Sequence, residues 1–139
     1  MFFCEILSGL WIGDTDIMLS KKFLTENDIK IIINFTIDMG FPESDEITKI
    51  RIPVSEQLKY SNDTMKLNAN LNDIFQIIKD NTDKNNILLV CYDGKNVSAL
   101  VSALYIVKYS SISKDNIRQI LNSKCEQLSL DYELSVFDT

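Results

Sequence analysis

Histidine is absent from the 139 residues, and glycine (four), proline (two), tryptophan (one) and cysteine (three) are scarce. Without histidine the chain lacks the commonest general base and the commonest metal ligand, so no metal site and no cofactor are expected. The cysteines, Cys4, Cys91 and Cys125, lie far apart with no pair at zinc spacing. Odd in number and scattered, they suit free thiols in a reducing compartment. No basic region or long apolar run accompanies the Phe2-Phe3 start, which excludes a signal peptide and a membrane span. A net charge of −6 argues against a nucleic-acid surface. The chain therefore reads as soluble, intracellular and cytoplasmic.

What is present is globular. Hydrophobic residues at 45% and charged residues at 24% leave enough apolar surface for a genuine core. No repeat or linker divides the chain, so one domain over residues 1–139 is expected.

The stretch from Ile87 to Ser98 organises the rest. Ile87-Leu88-Leu89-Val90 is an apolar run of strand length that ends at Cys91. The polar loop Tyr92-Asp93-Gly94-Lys95-Asn96 follows, and from Val97-Ser98 an apolar segment with helical spacing runs to about Tyr109. Strand, tight loop and helix bring backbone N–H groups and the positive end of a helix to one point, where an anion belongs. A cysteine there is the natural nucleophile, because the same field favours its thiolate.

Around this stretch the pattern alternates strands with helices. Glu5 to Ile12, with Gly9 and Gly13 as punctuation, predicts two short strands or an edge hairpin. Asp14-Thr15-Asp16 predicts the cap of one helix from Ile17 to about Glu26. The β-branched run Ile29 to Phe35 has the composition of a strand buried on both faces. Ile47 to Ile52 alternates like a strand nearer the edge, and polar Pro53 to Asp63 predicts an exposed loop. Leu67, Leu71, Ile74, Phe75 and Ile78 mark a helix over Met65 to Ile78. Leu100, Ala103, Leu104 and Val107 mark the buried face of a second long helix, and Ser113-Lys114-Asp115 caps a third carrying Ile117, Ile120 and Leu121. An amphipathic segment, Leu128 to Phe137, closes the pattern. The fold class is α/β, helices flanking a mostly parallel sheet, with Cys91 at the carboxyl ends of the strands.

Several segments resemble the dual-specificity protein phosphatases of the cysteine-based protein tyrosine phosphatase superfamily. Glu5 to Gly13 resembles their opening strand pair, and Ile29 to Thr36 their buried strand with its Asn-x-Thr ending. Ile52-Pro53-Val54-Ser55-Glu56 resembles the approach to their general-acid loop. Cys91 to Ser98 lies over their phosphate-binding loop, whose pattern is His-Cys, five residues, then Arg-Ser/Thr. The resemblance spans essentially the whole chain in order and implies their three-layer fold. It places Cys91 at the nucleophile position, Glu56 at the general-acid position, and Tyr92, Asp93, Gly94, Lys95, Asn96, Val97 and Ser98 around the anion.

Two departures bear on activity. Val90 stands where the family has histidine, and Val97 where it has the arginine that grips two phosphate oxygens. Valine donates nothing, and loss of a positioned donor costs ~10²–10³ in rate or more. Asp93 adds a carboxylate inside the loop, disfavouring both a bound anion and the Cys91 thiolate. Lys95 compensates only in part, as a mobile point charge.

The bland readings are that Cys91 is a buried strand-end thiol, Asp93 and Lys95 are turn residues, and Glu56 is a solvated carboxylate. Cys4 and Cys125 are expected as core thiols and Trp11 as core packing. The leading expectation is a pseudophosphatase that binds a protein or phosphoprotein partner, with no nucleic acid and no membrane. The alternatives are a weakly active phosphatase using Cys91 and Glu56, and a self-associating structural or assembly protein forming a homo-oligomer. The Asn- and Ile-rich, Ala-poor composition points to an AT-rich genome, that of a large DNA virus or a protist, and so to a virion or an infected host cell.

Overall fold

The two most apolar strands of the chain lie at the centre of a five-stranded sheet. A computed structural model describes residues 1–137. The elements run β1 (Phe3–Leu7), β2 (Leu10–Gly13), α1 (Thr15–Met18), α2 (Lys21–Glu26), β3 (Ile29–Asn34), β4 (Thr48–Arg51), α3 (Asp63–Asn81), β5 (Asn86–Val90), α4 (Val97–Tyr109) and α5 (Lys114–Lys124), with short 3-10 turns at Glu56–Leu58 and Leu134–Val136. The strand order is β1-β2-β5-β3-β4. Only β1 and β2 pair antiparallel; β2–β5, β5–β3 and β3–β4 are parallel.

Side-chain alternation divides the apolar residues between two cores. Ile87 and Leu89 of β5 face the larger one with α3, α4 and α5, while Leu88 and Val90 face the smaller one with Ile17, Met18, Phe23 and Leu24 of α1 and α2. In β3 a register irregularity between Ile29 and Ile31 puts Ile29 and Ile32 on the smaller core and Ile31 and Ile33 on the larger. A strand covered on both sides has no polar face, which is why both runs lack alternation.

Four sequence expectations change. The single helix over Ile17 to Glu26 is two. Asp14 accepts the Ile17 N–H at 2.9 Å and Ser20 accepts that of Phe23 at 3.2 Å. A second cap inside the run ends the first helix and starts another. Helix α4 has no single buried face: Val97 to Ile106 are all buried, because packing surrounds it. Cys4 and Cys125 sit half-buried at the margin of the larger core rather than within it. The segment Pro53 to Asp63, expected to be exposed, is anchored in the core by Val54, Ser55 and Asp63.

That last change has a clear cause. The Asp63 carboxylate, 1% exposed, accepts hydrogen bonds from the Ser55 hydroxyl, from the Ser55 N–H at 3.2 Å and from the Tyr60 N–H at 3.0 Å. Ser55 Oγ accepts the Lys59 N–H at 2.8 Å, and Lys66 Nζ donates to the Pro53 carbonyl at 2.9 Å. Polar residues become buriable once one carboxylate satisfies the backbone donors of the turn. Gln57 and Leu58, with φ of 58° and 53°, are held in the left-handed region within this pinned turn.

Asp63→Ala leaves those donors buried and unpaired, so it should lower stability by ~1–3 kcal/mol in urea unfolding. A loss below ~0.5 kcal/mol, the range of ordinary surface changes, would show that Asp63 does not hold the segment.

Candidate functional site

Strand β5 delivers Cys91 to the carboxyl edge of the sheet, and the neighbouring hairpin shapes the loop that follows. Cys91 donates its N–H to the Gly13 carbonyl at 3.3 Å. Gly94 turns the loop with φ +75°, and a Cβ there would lie 2.6 Å from the Gly13 carbonyl carbon and 2.7 Å from the Asp14 nitrogen. Glycine is required on both counts. Asp14 also accepts the Phe2 N–H at 2.8 Å, which fixes the backbone against which Gly94 packs. The Leu100 N–H then bonds the Asn96 carbonyl at 2.9 Å and α4 begins.

Cys91 is 2% exposed and accepts the Ser98 N–H at 3.4 Å. Its thiol points to Asp93 Oδ1 at 3.8 Å. The Asp93 carboxylate turns back into its own loop: Oδ1 accepts the Lys95 N–H at 2.9 Å and Oδ2 the Asn96 side-chain amide at 2.7 Å. A fixed negative charge thus lies beside the sulfur, bonded to donors of the very loop whose geometry suits an anion. Burial pushes the Cys91 thiol above the ordinary 9.0; Ser98 and the Asn96 N–H pull it down, and Asp93 pushes it further up. The net direction is upward, so at neutral pH the sulfur is a thiol.

The remaining loop residues make contacts elsewhere. Val97, 1% exposed, belongs to the larger core, and Val90 packs wholly into the smaller. The Lys95 ammonium lies 5.3 Å over the Phe2 ring and its carbonyl accepts the Ser129 N–H at 2.9 Å. Tyr92 donates to Asp38 at 2.7 Å and accepts the Ile37 N–H at 3.1 Å, tying the loop to the turn after β3. Ser98 Oγ is fully buried beside the sulfur, without a partner of full hydrogen-bond geometry among the described residues.

Cys91 and the residues from Tyr92 to Ser98 are thus brought together in one loop. Glu56 is not joined to them by any hydrogen bond or ion pair among the described residues; it is exposed on its 3-10 turn. Its neighbour Gln57 reaches the loop instead, lining a small cavity of about 260 Å³ with Asn96, Ser129, Asp131 and Tyr132. A larger groove of about 590 Å³ lies at the other end of the sheet, beside Ile29 and Ile47.

Residues without a signal in the sequence complete the site. The Tyr132 hydroxyl is buried and unpartnered among the described residues, and burial, with Cys91 and Asp93 nearby, raises its pKa. Arg118 holds that segment by donating to the carbonyls of Leu130, at 2.6 Å, and Tyr132. Arg51 donates to the carbonyls of Thr36 at 2.9 Å and Met39 at 2.7 Å, fixing the turn that Tyr92 grips. Each contact joins residues distant in sequence, so no local pattern announces it.

The folded state holds the Cys91 proton more tightly than the unfolded chain. The stability this contributes is complete below 9.0 and is lost as pH rises through the folded value. With Cys4 and Cys125 replaced by serine, native-state alkylation by iodoacetamide should therefore show an inflection above 9.0. At neutral pH it should run slower than in denaturant, where the thiol is neither buried nor beside Asp93. An inflection at about 6–7 would instead mark an activated nucleophile.

Comparison with known proteins places this geometry. The profile described as dual specificity phosphatase, catalytic domain, matches residues 10–135. The solved structure of DUSP15 superposes with a TM-score of 0.81 at 16% identity, over 96% of this chain and 82% of that one. Human DUSP28 gives 0.77 at 15%, over 93% and 84%. The human tyrosine phosphatase-like serine/threonine/tyrosine-interacting protein gives 0.75 at 14%, over 93% and 87%. Among curated proteins no sequence match was found. Among the described residues, no helix is long and apolar enough to cross a membrane. The sheet order, the loop at Cys91 and the profile match agree, and the chain belongs to the dual specificity phosphatase catalytic-domain family.

Proposed function

We propose that this protein is a pseudophosphatase, a member of its family that binds a protein partner and does not turn over phosphoesters. The observation that carries the reading is the Asp93 carboxylate, bonded to the Lys95 N–H and the Asn96 amide and 3.8 Å from the Cys91 sulfur. The loop contains its own anion. A phosphate dianion entering there meets like charge, loses the Lys95 N–H to Asp93 and finds no guanidinium, since Val97 is packed in the core. Phosphoryl transfer depends chiefly on positioning and charge stabilisation, so these losses fall on its main catalytic contribution.

The same facts weigh against the enzymatic alternative. Cys91 is held as a thiol, and Glu56 is solvent-exposed with no hydrogen-bond or ion-pair partner among the described residues. They also sharpen the binding reading: recognition runs through the protein surface, not through a phosphate seated on the loop. One fold neighbour is named a phosphatase-like, interacting protein, a precedent for this use of the scaffold.

In a para-nitrophenyl phosphate assay the wild type should match Cys91→Ser, and phosphotyrosine and phosphothreonine peptides should bind no better than their unphosphorylated forms. Turnover abolished by Cys91→Ser would overturn the proposal. Val97→Arg combined with Asp93→Ala and Val90→His should bring measurable Cys91-dependent activity. The gain expected is ~10²-fold or more over background, the size of one restored oxyanion donor.

A further inference from the structure

The small cavity beside the loop has walls from three segments, each held in place by its own hydrogen bonds. Gln57 comes from the turn pinned by Asp63 and has a φ of 58°. Asn96 comes from the loop after Cys91, and Ser129, Asp131 and Tyr132 from the segment after α5. That last segment is fastened twice. The Ser129 N–H donates to the Lys95 carbonyl at 2.9 Å, and Arg118 donates to the carbonyls of Leu130 and Tyr132. A space of about 260 Å³ whose walls are fixed in advance is preorganised for a small polar group.

The chemistry of the lining says which group. It holds one carboxylate, Asp131, and no lysine or arginine. Asn96, 6% exposed, gives its side-chain N–H to Asp93 Oδ2 at 2.7 Å, so a second carboxylate stands directly behind that wall. The Tyr132 hydroxyl is buried without a partner among the described residues, which leaves its oxygen free to accept. The cations of the flanking segments are engaged elsewhere. The Lys95 ammonium lies 5.3 Å over the Phe2 ring, Arg118 is held by backbone carbonyls, and Lys59 is exposed and outside the lining. Asp93 already occupies the Lys95 N–H that a bound anion would need. Such a field repels an anion and attracts a cation. A guanidinium suits it best, because a planar fork of five N–H donors meets several fixed oxygens at once.

We propose that this cavity is a docking pocket for an arginine side chain of a protein partner. The guanidinium pairs with Asp131 and directs its remaining donors to the oxygens of Gln57, Asn96, Ser129 and Tyr132. This inference rests on the reading of the loop as one that no longer handles phosphoesters, and it names the chemistry of the partner.

The test titrates the full chain with arginine capped as its N-acetyl methylamide, followed through the backbone amide resonances of Asn96, Ser129, Asp131 and Tyr132. These should shift saturably, and added sodium chloride should weaken the binding. Citrulline capped in the same way, of similar shape but uncharged, should leave them unmoved. Asp131 is exposed, so Asp131→Asn keeps the fold and should weaken binding ~2–5-fold, the range of an exposed ion pair. Glu43→Gln removes an equal charge at the other end of the sheet and should change nothing. Free arginine, whose own carboxylate meets Asp131, should bind more weakly than the capped form. Tighter binding of free arginine would make the cavity a site for the amino acid and overturn the proposal. Equal binding of citrulline, saturable shifts with inorganic phosphate, or no saturable shift with capped arginine would overturn it too. Cys91-dependent turnover of para-nitrophenyl phosphate defeats the pseudophosphatase reading, whereas a chain without turnover that ignores arginine defeats this inference alone.

Discussion

Strand β5 can exist only with both faces covered. Ile87 to Val90 are completely buried and bond through their backbones to a parallel neighbour on each side. Parallel pairing obliges crossover helices, and those helices supply the cover: α1 and α2 on one face, α3, α4 and α5 on the other. Once the strand is central, its carboxyl end is also central. The chain must leave through a tight loop, and Gly94 against Gly13 sets that loop's shape. The position of Cys91 is thus a consequence of the core.

Electrostatics at that point turn on one side chain. A loop of converging N–H groups at a helix start attracts negative charge, and Asp93 supplies it from within. The field that would favour a thiolate is spent on a carboxylate, while burial of Cys91 disfavours its ionised form. Val97 completes the change by giving its volume to the core instead of reaching toward an anion. The loop thus keeps a glycine turn at the end of β5 and carries its own carboxylate on the N–H groups it presents.

The same device, a side chain satisfying backbone groups of a distant turn, fixes the surroundings. Asp63 holds the turn that carries Glu56 and Gln57, Arg51 the turn gripped by Tyr92, and Arg118 the segment bearing Tyr132. Three irregular segments around the loop are therefore specified by single polar residues. Their positions depend on hydrogen bonds whose loss leaves buried donors or acceptors unpaired.

Runs and spacings close together in the chain were decisive by themselves. The β-branched strand at Ile29, the apolar strand ending at Cys91, the apolar spacing of α3 and the Asp-Gly turn all follow from residues within a few positions of one another. These fixed the α/β class and placed Cys91, Asp93 and Val97 in one loop. What required the folded molecule was every contact made across the chain. Asp63 as a buried anchor, Tyr132 near Cys91, the hold of Arg118 on the segment around Tyr132 and the inward turn of Asp93 have no periodic signature. Sequence periodicity reports which face of an element is apolar, whereas a hydrogen bond between distant residues depends on where the fold has carried both partners.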